Sequence, residues 1–150
     1  MDDQTRQRVE ELWDREMIKE LTHAYGRCIE RQDADGMAQL FTEDGEVDFT
    51  SLNRGVHKGR DAVRTFYAGT WPLRVRPFFT NHMIERLGDG RARGTCCFEN
   101  RGVQGEESMI GAGRLHDEYE KVGGAWKFRS RRVEIFYFVP LREGWAKVLK

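Results

Sequence analysis

The spacing of apolar residues changes in the middle of this chain, and that change limits the folds available to it. Before Trp71, apolar residues recur every three or four positions, which is the period of an amphipathic helix. After Phe78, long stretches rich in β-branched and aromatic residues alternate with short glycine-rich turns. This order predicts an α+β domain in which three N-terminal helices pack on one curved, mostly antiparallel sheet.

The limits of the elements follow from capping residues, prolines and turn signals. The predicted helices run from Asp14 to about Arg31 with a short helix around Val9, Leu12 and Trp13 before it, from an Asp33 cap through Phe41, and from an Asp61 cap to Trp71-Pro72. Residues Thr42 to Gly45 are predicted to form a turn, and Val47 and Phe49 a strand. The later strands are predicted at Phe78–Leu87, Arg91–Asn100, Ser108–Lys121 and Ala125–Phe138.

Size and charge narrow the functional classes. A length of 150 residues suits a single domain, residues 1–150, and no apolar run approaches the roughly 20 residues that span a membrane. Lys and Arg number 25, as do Asp and Glu, so the excess of basic charge typical of nucleic-acid binding is missing. The local cluster of Arg129, Arg131 and Arg132 is interpreted as a solvated strand edge. A cytoplasmic protein without nucleic-acid or membrane partners is expected.

Neither a disulfide framework nor a metal site is predicted. The cysteine count is three, and the adjacent Cys96 and Cys97 would point to opposite faces of a strand. Neither GxGxxG nor GxxxxGK[ST] occurs in the sequence. We therefore expect no metal and no organic cofactor.

Several short motifs occur in an order that resembles the SnoaL-like branch of the NTF2-like superfamily, over nearly the whole chain. They are Ile18-Lys19-Glu20-Leu21, Tyr25, Asp33-x-x-Gly36, Leu40-Phe41-x-x-Asp44-Gly45, Gly59-Arg60-Asp61-Ala62-Val63, Gly113-Arg114-Leu115-His116-Asp117 and Gly123-Gly124-Ala125-Trp126-Lys127-Phe128 with Arg132-Val133. The resemblance implies a cone-shaped sheet around helices, with a pocket at one end. The family includes dehydratases, a dehydrochlorinase, isomerases and formaldehyde-releasing lyases, most of them cofactor-free, and also non-catalytic members.

Three residues are candidates for catalysis. Tyr25 lies one turn beyond Leu21 on the apolar helix face, and the resemblance implies a general acid or oxyanion donor there. Glu30 matches a pocket aspartate of the family, so it is either a base or a solvated residue. His82 shares a strand face with Thr80, near which the family places its catalytic histidine, and its ordinary pKa suits a general base. The competing interpretation of Tyr25 and His82 is a structural role.

Five further residues are candidates for substrate binding. Cys96, Phe98 and Asn100 share one strand face, and Asn100 falls where the resemblance implies a pocket aspartate. Arg114 matches an oxyanion-binding position of the family, or forms a surface ion pair with Asp117 or Glu134. Phe78 adds aromatic lining, whereas His23, His57 and His116 are expected at the surface, although His116 lies on a strand and its role stays open.

These residues predict a cofactor-independent lyase, dehydratase-like or formaldehyde-releasing, or an isomerase, acting on a small aromatic or polycyclic molecule by acid–base catalysis. The alternative is a non-catalytic ligand-binding or assembly domain, such as a ring-hydroxylating dioxygenase β subunit. A homo-oligomer, a trimer or dimer, is expected because so many aromatic residues are difficult to bury in one small chain.

Overall fold

The computed structural model describes residues 1–149, apart from the side chain of Arg86, and contains three α-helices and six β-strands. The helices are α1 (Asp3–Arg31), α2 (Ala34–Gln39) and α3 (Arg60–Ala68). The strands are β1 (Phe41–Asp48), β2 (Val56–Lys58), β3 (Val75–Gly88), β4 (Arg91–Gln104), β5 (Glu107–Val122) and β6 (Ala125–Pro140). Lys150, the last residue of the predicted domain, lies outside the described residues.

The strands form one sheet in the order β2-β1-β6-β5-β4-β3. All neighbours are antiparallel except β1 and β6, which run parallel. Three tight turns join the four long strands, and Gly90, Gly105 and Gly123 adopt the positive φ angles that such turns require. The predicted α+β arrangement of helices on a mostly antiparallel sheet is therefore confirmed.

Helix α1 is longer than predicted and has no break near Trp13. The Asp2 carboxylate caps the helix by accepting a hydrogen bond from the Thr5 backbone N–H at 2.8 Å, and the helix begins at Asp3, eleven positions before the predicted start at Asp14. The first ten residues of α1 have exposed side chains. Their apolar residues form no buried face, so their spacing did not indicate that one helix continues through them. In the described part of the chain, none of the helices has the length and apolar character needed to span a membrane.

Several other boundaries differ from the predictions, two of them between α2 and α3. The predicted turn at Thr42–Gly45 lies inside β1, where the register with β6 is irregular between Phe41 and Glu46. Helix α3 is capped by Gly59 rather than Asp61, because Gly59 takes a φ of 89° and Asp61 already lies in the first helical turn.

The main core lies between one face of α1 and the concave face of the sheet. Ile18, Leu21 and Tyr25, spaced by three and four residues, are all buried on that helix face. They pack with Phe41 and Phe128 from the sheet. This packing positions the second half of α1 across the sheet and leaves a cavity beyond Tyr25.

Candidate active site

A cavity of about 120 Å³ lies between the helices and the concave face of the sheet. Most of its lining residues are apolar or aromatic. They come from the four long strands, from α1 and α3, and from the loops beside them. The lining residues are Tyr25, Ile29, Phe49, Leu52, Arg54, Tyr67, Thr70, Leu73, Val75, Pro77, Phe79, Phe98, Asn100, Leu115, Val133, Ile135 and Phe138. A cavity of roughly 150 Å³ holds one benzene ring, so a space of this size has room for about one aromatic ring and not for several.

Two tyrosine hydroxyls form the polar centre of the cavity. The hydroxyl oxygens of Tyr25 on α1 and Tyr67 on α3 are 2.7 Å apart, and the two residues are only 4% and 2% exposed. Two hydroxyls carry two protons, and one proton is used in their mutual hydrogen bond. The pair therefore retains one proton that can be donated to a ligand.

The surroundings of the two tyrosines affect their acidity differently. Burial raises the pKa of Tyr25, while the positive charge of Arg131 and the hydrogen bond with Tyr67 act in the opposite direction. Burial, followed by the neighbouring Tyr25, raises the pKa of Tyr67 well above its ordinary value. Both side chains are neutral proton donors at neutral pH, and Tyr25 is the one next to a stabilising cation.

Arg131 supplies that cation from behind Tyr25. Its guanidinium carbon lies 4.3 Å from the centroid of the Tyr25 ring and 4.0 Å from that of Phe128. The side chain is completely buried and forms two hydrogen bonds of 2.8 Å to the Asp117 carboxylate and one of 3.0 Å to Thr22. Burial alone would lower the pKa of Arg131, but Asp117 outweighs it, so the guanidinium remains charged.

The same carboxylate connects Arg131 to His82. The Tyr119 hydroxyl donates to Asp117 Oδ2 at 2.8 Å, so its oxygen accepts from His82 Nε2 at 3.0 Å. This geometry fixes the His82 tautomer with its proton on Nε2. Burial lowers the pKa of His82 to about 4, so the ring is neutral at pH 7 and serves as a hydrogen-bond donor in this network.

Comparison with known proteins agrees with this architecture. The model of the SnoaL-like domain family matches residues 10–132. This chain belongs to the SnoaL-like domain family. Gamma-hexachlorocyclohexane dehydrochlorinase of Sphingobium indicum is 25% identical over 138 residues, which cover 89% of this chain and 87% of that protein.

Solved structures give the same result for the fold. The crystal structure of LinA superposes with a TM-score of 0.81 at 25% identity, covering 89% of this chain and 92% of that one. A protein of unknown function from Mycobacterium tuberculosis superposes with a TM-score of 0.74 at 29% identity, covering 90% and 76%. The predicted NTF2-like, SnoaL-like fold is confirmed.

Three of the predicted site residues line the cavity of this SnoaL-like chain. Tyr25 lies there as the helical period predicts, and Phe98 and Asn100 are there because alternation along β4 holds without interruption. Cys96 shares their face but is fully buried in a neighbouring cluster with Leu115 and Val133, and it does not line the cavity.

Three other predicted residues lie on the outer surface. Phe78 is 54% exposed, because alternation along β3 turns Phe79 inward in its place. Arg114 is exposed on the opposite face of the sheet, where its guanidinium lies over Phe136. Glu30 is exposed near the end of α1, where Ile29 takes the position facing the cavity.

His82 and Tyr25 do not share the cavity. A bulge places two β3 residues, Asn81 and His82, opposite one β4 residue, and Asn81 takes a φ of 51°. The bulge turns His82 toward Tyr119 on the concave side, whereas Thr80 is exposed, so the two residues do not share a strand face as predicted. The prediction of one pocket shared by Tyr25 and His82 is therefore wrong.

Arg131 and Tyr67 were not predicted as site residues. Arg131 was interpreted as part of a solvated cluster, but a register shift in β6 beside Phe128 turns it inward, three positions after that buried residue. Tyr67 was not among the candidate site residues, although its hydroxyl lies 2.7 Å from that of Tyr25. Among residues 1–149 whose side chains are described, no group of three or more His, Cys, Asp or Glu residues is arranged to hold a metal ion.

Proposed function

We propose that this protein is a cofactor-independent lyase that eliminates a leaving group from a small molecule with one aromatic ring. The tyrosine pair is the observation that carries the proposal, because it offers one free proton inside an otherwise apolar cavity. The similarity to a dehydrochlorinase supports elimination as the reaction class. The cavity volume favours one ring over the polycyclic substrates that the sequence left open.

In the proposed reaction, the tyrosine pair donates a proton to the leaving oxygen of the substrate as the carbon–oxygen bond breaks. The electron pair of that bond goes to the oxygen, and water leaves. The resulting tyrosinate then accepts a proton from the adjacent carbon, whose electrons form the new double bond. Arg131 stabilises the tyrosinate, because its charge lies 4.3 Å from the Tyr25 ring in a water-poor environment. Isomerisation by proton transfer would use the same groups.

A non-catalytic ligand-binding domain is the second candidate. In the described part of the chain, the cavity lining has neither a histidine nor a carboxylate, so the predicted bases His82 and Glu30 are both absent from it. A cavity without a separate base is also typical of a site that binds without turnover.

Turnover of β-hydroxy ketones carrying one phenyl ring separates these candidates, since elimination gives a conjugated enone that absorbs in the near ultraviolet. We expect Tyr25→Phe and Tyr67→Phe each to lower kcat at least about tenfold, a barrier increase of roughly 1.4 kcal/mol. Tyr137→Phe is the matched control, because Tyr137 is buried but stacks on Trp145 and does not line the cavity. Binding without turnover by the unmodified protein would favour the ligand-binding domain.

We further propose that the protein is a homo-oligomer in the cytoplasm. The exposed large apolar side chains include Leu12 and Trp13 on α1 and Phe78 and Met83 on β3, and exposed apolar surface is typical of contact regions. Sedimentation showing only a monomer at micromolar concentration would contradict this assembly.

A further inference from the structure

Arg54 is the one charged residue among those that line the cavity in the described part of the chain. It lies in the loop between β1 and β2, at the exposed rim of a space that is otherwise apolar or carries neutral polar groups. A single cation at the rim favours a ligand that brings the opposite charge, and it disfavours a cationic ligand.

The backbone of this loop is held firmly. The Arg54 N–H donates to the Phe49 carbonyl at 3.1 Å, and the Arg54 carbonyl accepts from His57 Nε2 at 2.7 Å. The Ser51 hydroxyl donates to the Val133 carbonyl at 2.6 Å, which ties the loop to β6 beside the cavity. The start of the Arg54 side chain is therefore fixed at the rim before any ligand arrives.

The guanidinium itself is placed but unpaired. Its central carbon lies 5.2 Å from the centroid of the Phe66 ring, and none of the described carboxylates forms an ion pair with it within 4.0 Å. A guanidinium that lies over an aromatic ring still has N–H donors that a ligand can bind. A carboxylate matches these donors with two parallel hydrogen bonds.

A chain of aromatic contacts connects this rim to the tyrosine pair. The Phe66 ring contacts the Tyr67 ring at a centroid distance of 5.2 Å, and Tyr67 contacts Tyr25 at 5.8 Å. The cavity lining is mostly apolar or aromatic, so a ligand that reaches both Arg54 and the tyrosine hydroxyls needs an apolar body between its anionic end and its reacting end.

From this arrangement we propose that the cavity takes a small aromatic carboxylate of one ring, with its carboxylate bound by Arg54. This inference rests on the proposed function in naming the substrate class of the same cavity. In the reaction, Arg54 would orient the substrate, and the tyrosine pair would act at the other end.

Isothermal titration with cinnamate and cinnamamide tests the proposal, because these two molecules share shape and differ in charge. We expect the unmodified protein to bind cinnamate at least about tenfold more tightly than cinnamamide, as for a hydrogen-bonded charge pair. Arg54→Gln should bring the two affinities to within about threefold by weakening cinnamate alone. Arg114→Gln is the matched control, since Arg114 is also exposed and lies over an aromatic ring, at 5.5 Å, but outside the cavity. It should keep the full preference.

Equal binding of the two compounds by the unmodified protein would overturn the proposal, as would an unchanged preference in Arg54→Gln or the absence of cinnamate binding. Equal binding would leave the cavity as a binding site and the lyase proposal intact, because that proposal depends on turnover by the tyrosine variants. Normal turnover by the tyrosine variants would contradict the lyase proposal, but it would not contradict the preference for a carboxylate.

Discussion

The ring of Phe79 packs directly against the α-carbon of Gly26. A β-carbon at position 26 would lie 2.8 Å from Cε2 of that ring, closer than ordinary contact permits. Phe79 forms part of the cavity wall, and Gly26 follows Tyr25 on the buried face of α1. The contact between these two residues therefore sets the shape of the cavity next to the tyrosine pair.

Gly26→Ala should weaken ligand binding. The added methyl group pushes the Phe79 ring toward the cavity, and overpacking of this kind costs about 1–3 kcal/mol. Better helix propensity returns at most about 1 kcal/mol, so the free energy of unfolding should also fall. Urea unfolding measures the change in the free energy of unfolding, and titration with cinnamate measures the change in affinity. Adding Phe79→Leu should restore part of both, whereas a more stable Gly26→Ala protein with unchanged affinity would contradict this account.

Asp117→Asn should be strongly destabilising. It removes the carboxylate charge that pairs with the completely buried guanidinium of Arg131, and the guanidinium charge stays in place. Breaking a buried pair in this way costs about 3–5 kcal/mol. The urea midpoint measures this loss. Asp61→Asn, in the exposed pair with Arg64, should cost less than about 1 kcal/mol. Losses of equal size in the two variants would show that burial does not decide the outcome.

Tyr25 and Tyr67 should act as one catalytic unit. If the shared proton is what matters, the double variant Tyr25→Phe/Tyr67→Phe should lose no more kcat than the worse single variant. Losses that multiply would indicate two independent contributions. Steady-state kinetics on the phenyl β-hydroxy ketone provide the measurement, with circular dichroism to verify folding.

His82 should influence stability through pH rather than through catalysis. Burial lowers its pKa in the folded state to about 4, whereas the unfolded ring has an ordinary value near 6.5. Between these values the unfolded state binds more protons, so the contribution of His82 to the free energy of unfolding falls as pH decreases through this range. Above pH 6.5 the contribution is complete.

The comparison of His82→Gln with the unmodified protein isolates this contribution. The variant should be less stable at pH 7, because the hydrogen bond to Tyr119 is disturbed, and the difference should shrink toward pH 5. Urea unfolding at the two pH values measures it. A difference that grows at low pH would contradict the lowered pKa, and a tenfold loss of kcat at pH 7 would return His82 to the catalytic role that the sequence suggested.

The long helices and strands could be predicted from the sequence, but the register shifts inside the strands could not. The helical period correctly buried Ile18 and Tyr25, and uninterrupted alternation along β4 correctly placed Phe98 and Asn100 on one face. Such periods have physical causes that are local to each element, namely the pitch of a helix and the pleat of a strand. They are therefore visible in the sequence.

Arg131 and His82 were misplaced because their orientation depends on pairing with a neighbouring strand. A register shift near Phe128 separates the buried residues Phe128 and Arg131 by three positions instead of two. The bulge formed by Asn81 and His82 has the same effect on β3. The position of each bulge depends on the pairing register with the neighbouring strand. A single sequence does not reveal that register. One feature of the sequence did indicate a buried partner for Arg131. Asp117, which pairs with it, lies on a strand face rich in apolar residues.

Strand β3 contains two register shifts, one between Thr80 and Met83 and one between Ile84 and Arg86. As a result its interior residues are odd-numbered up to Phe79, even-numbered at His82 and Ile84, and odd-numbered again at Leu87. The two shifts cancel, so the segment between them has the opposite parity to both ends of the strand. Removing one residue from either shift would exchange inside for outside along a whole flank of β3, an error that no substitution at a single position could reproduce.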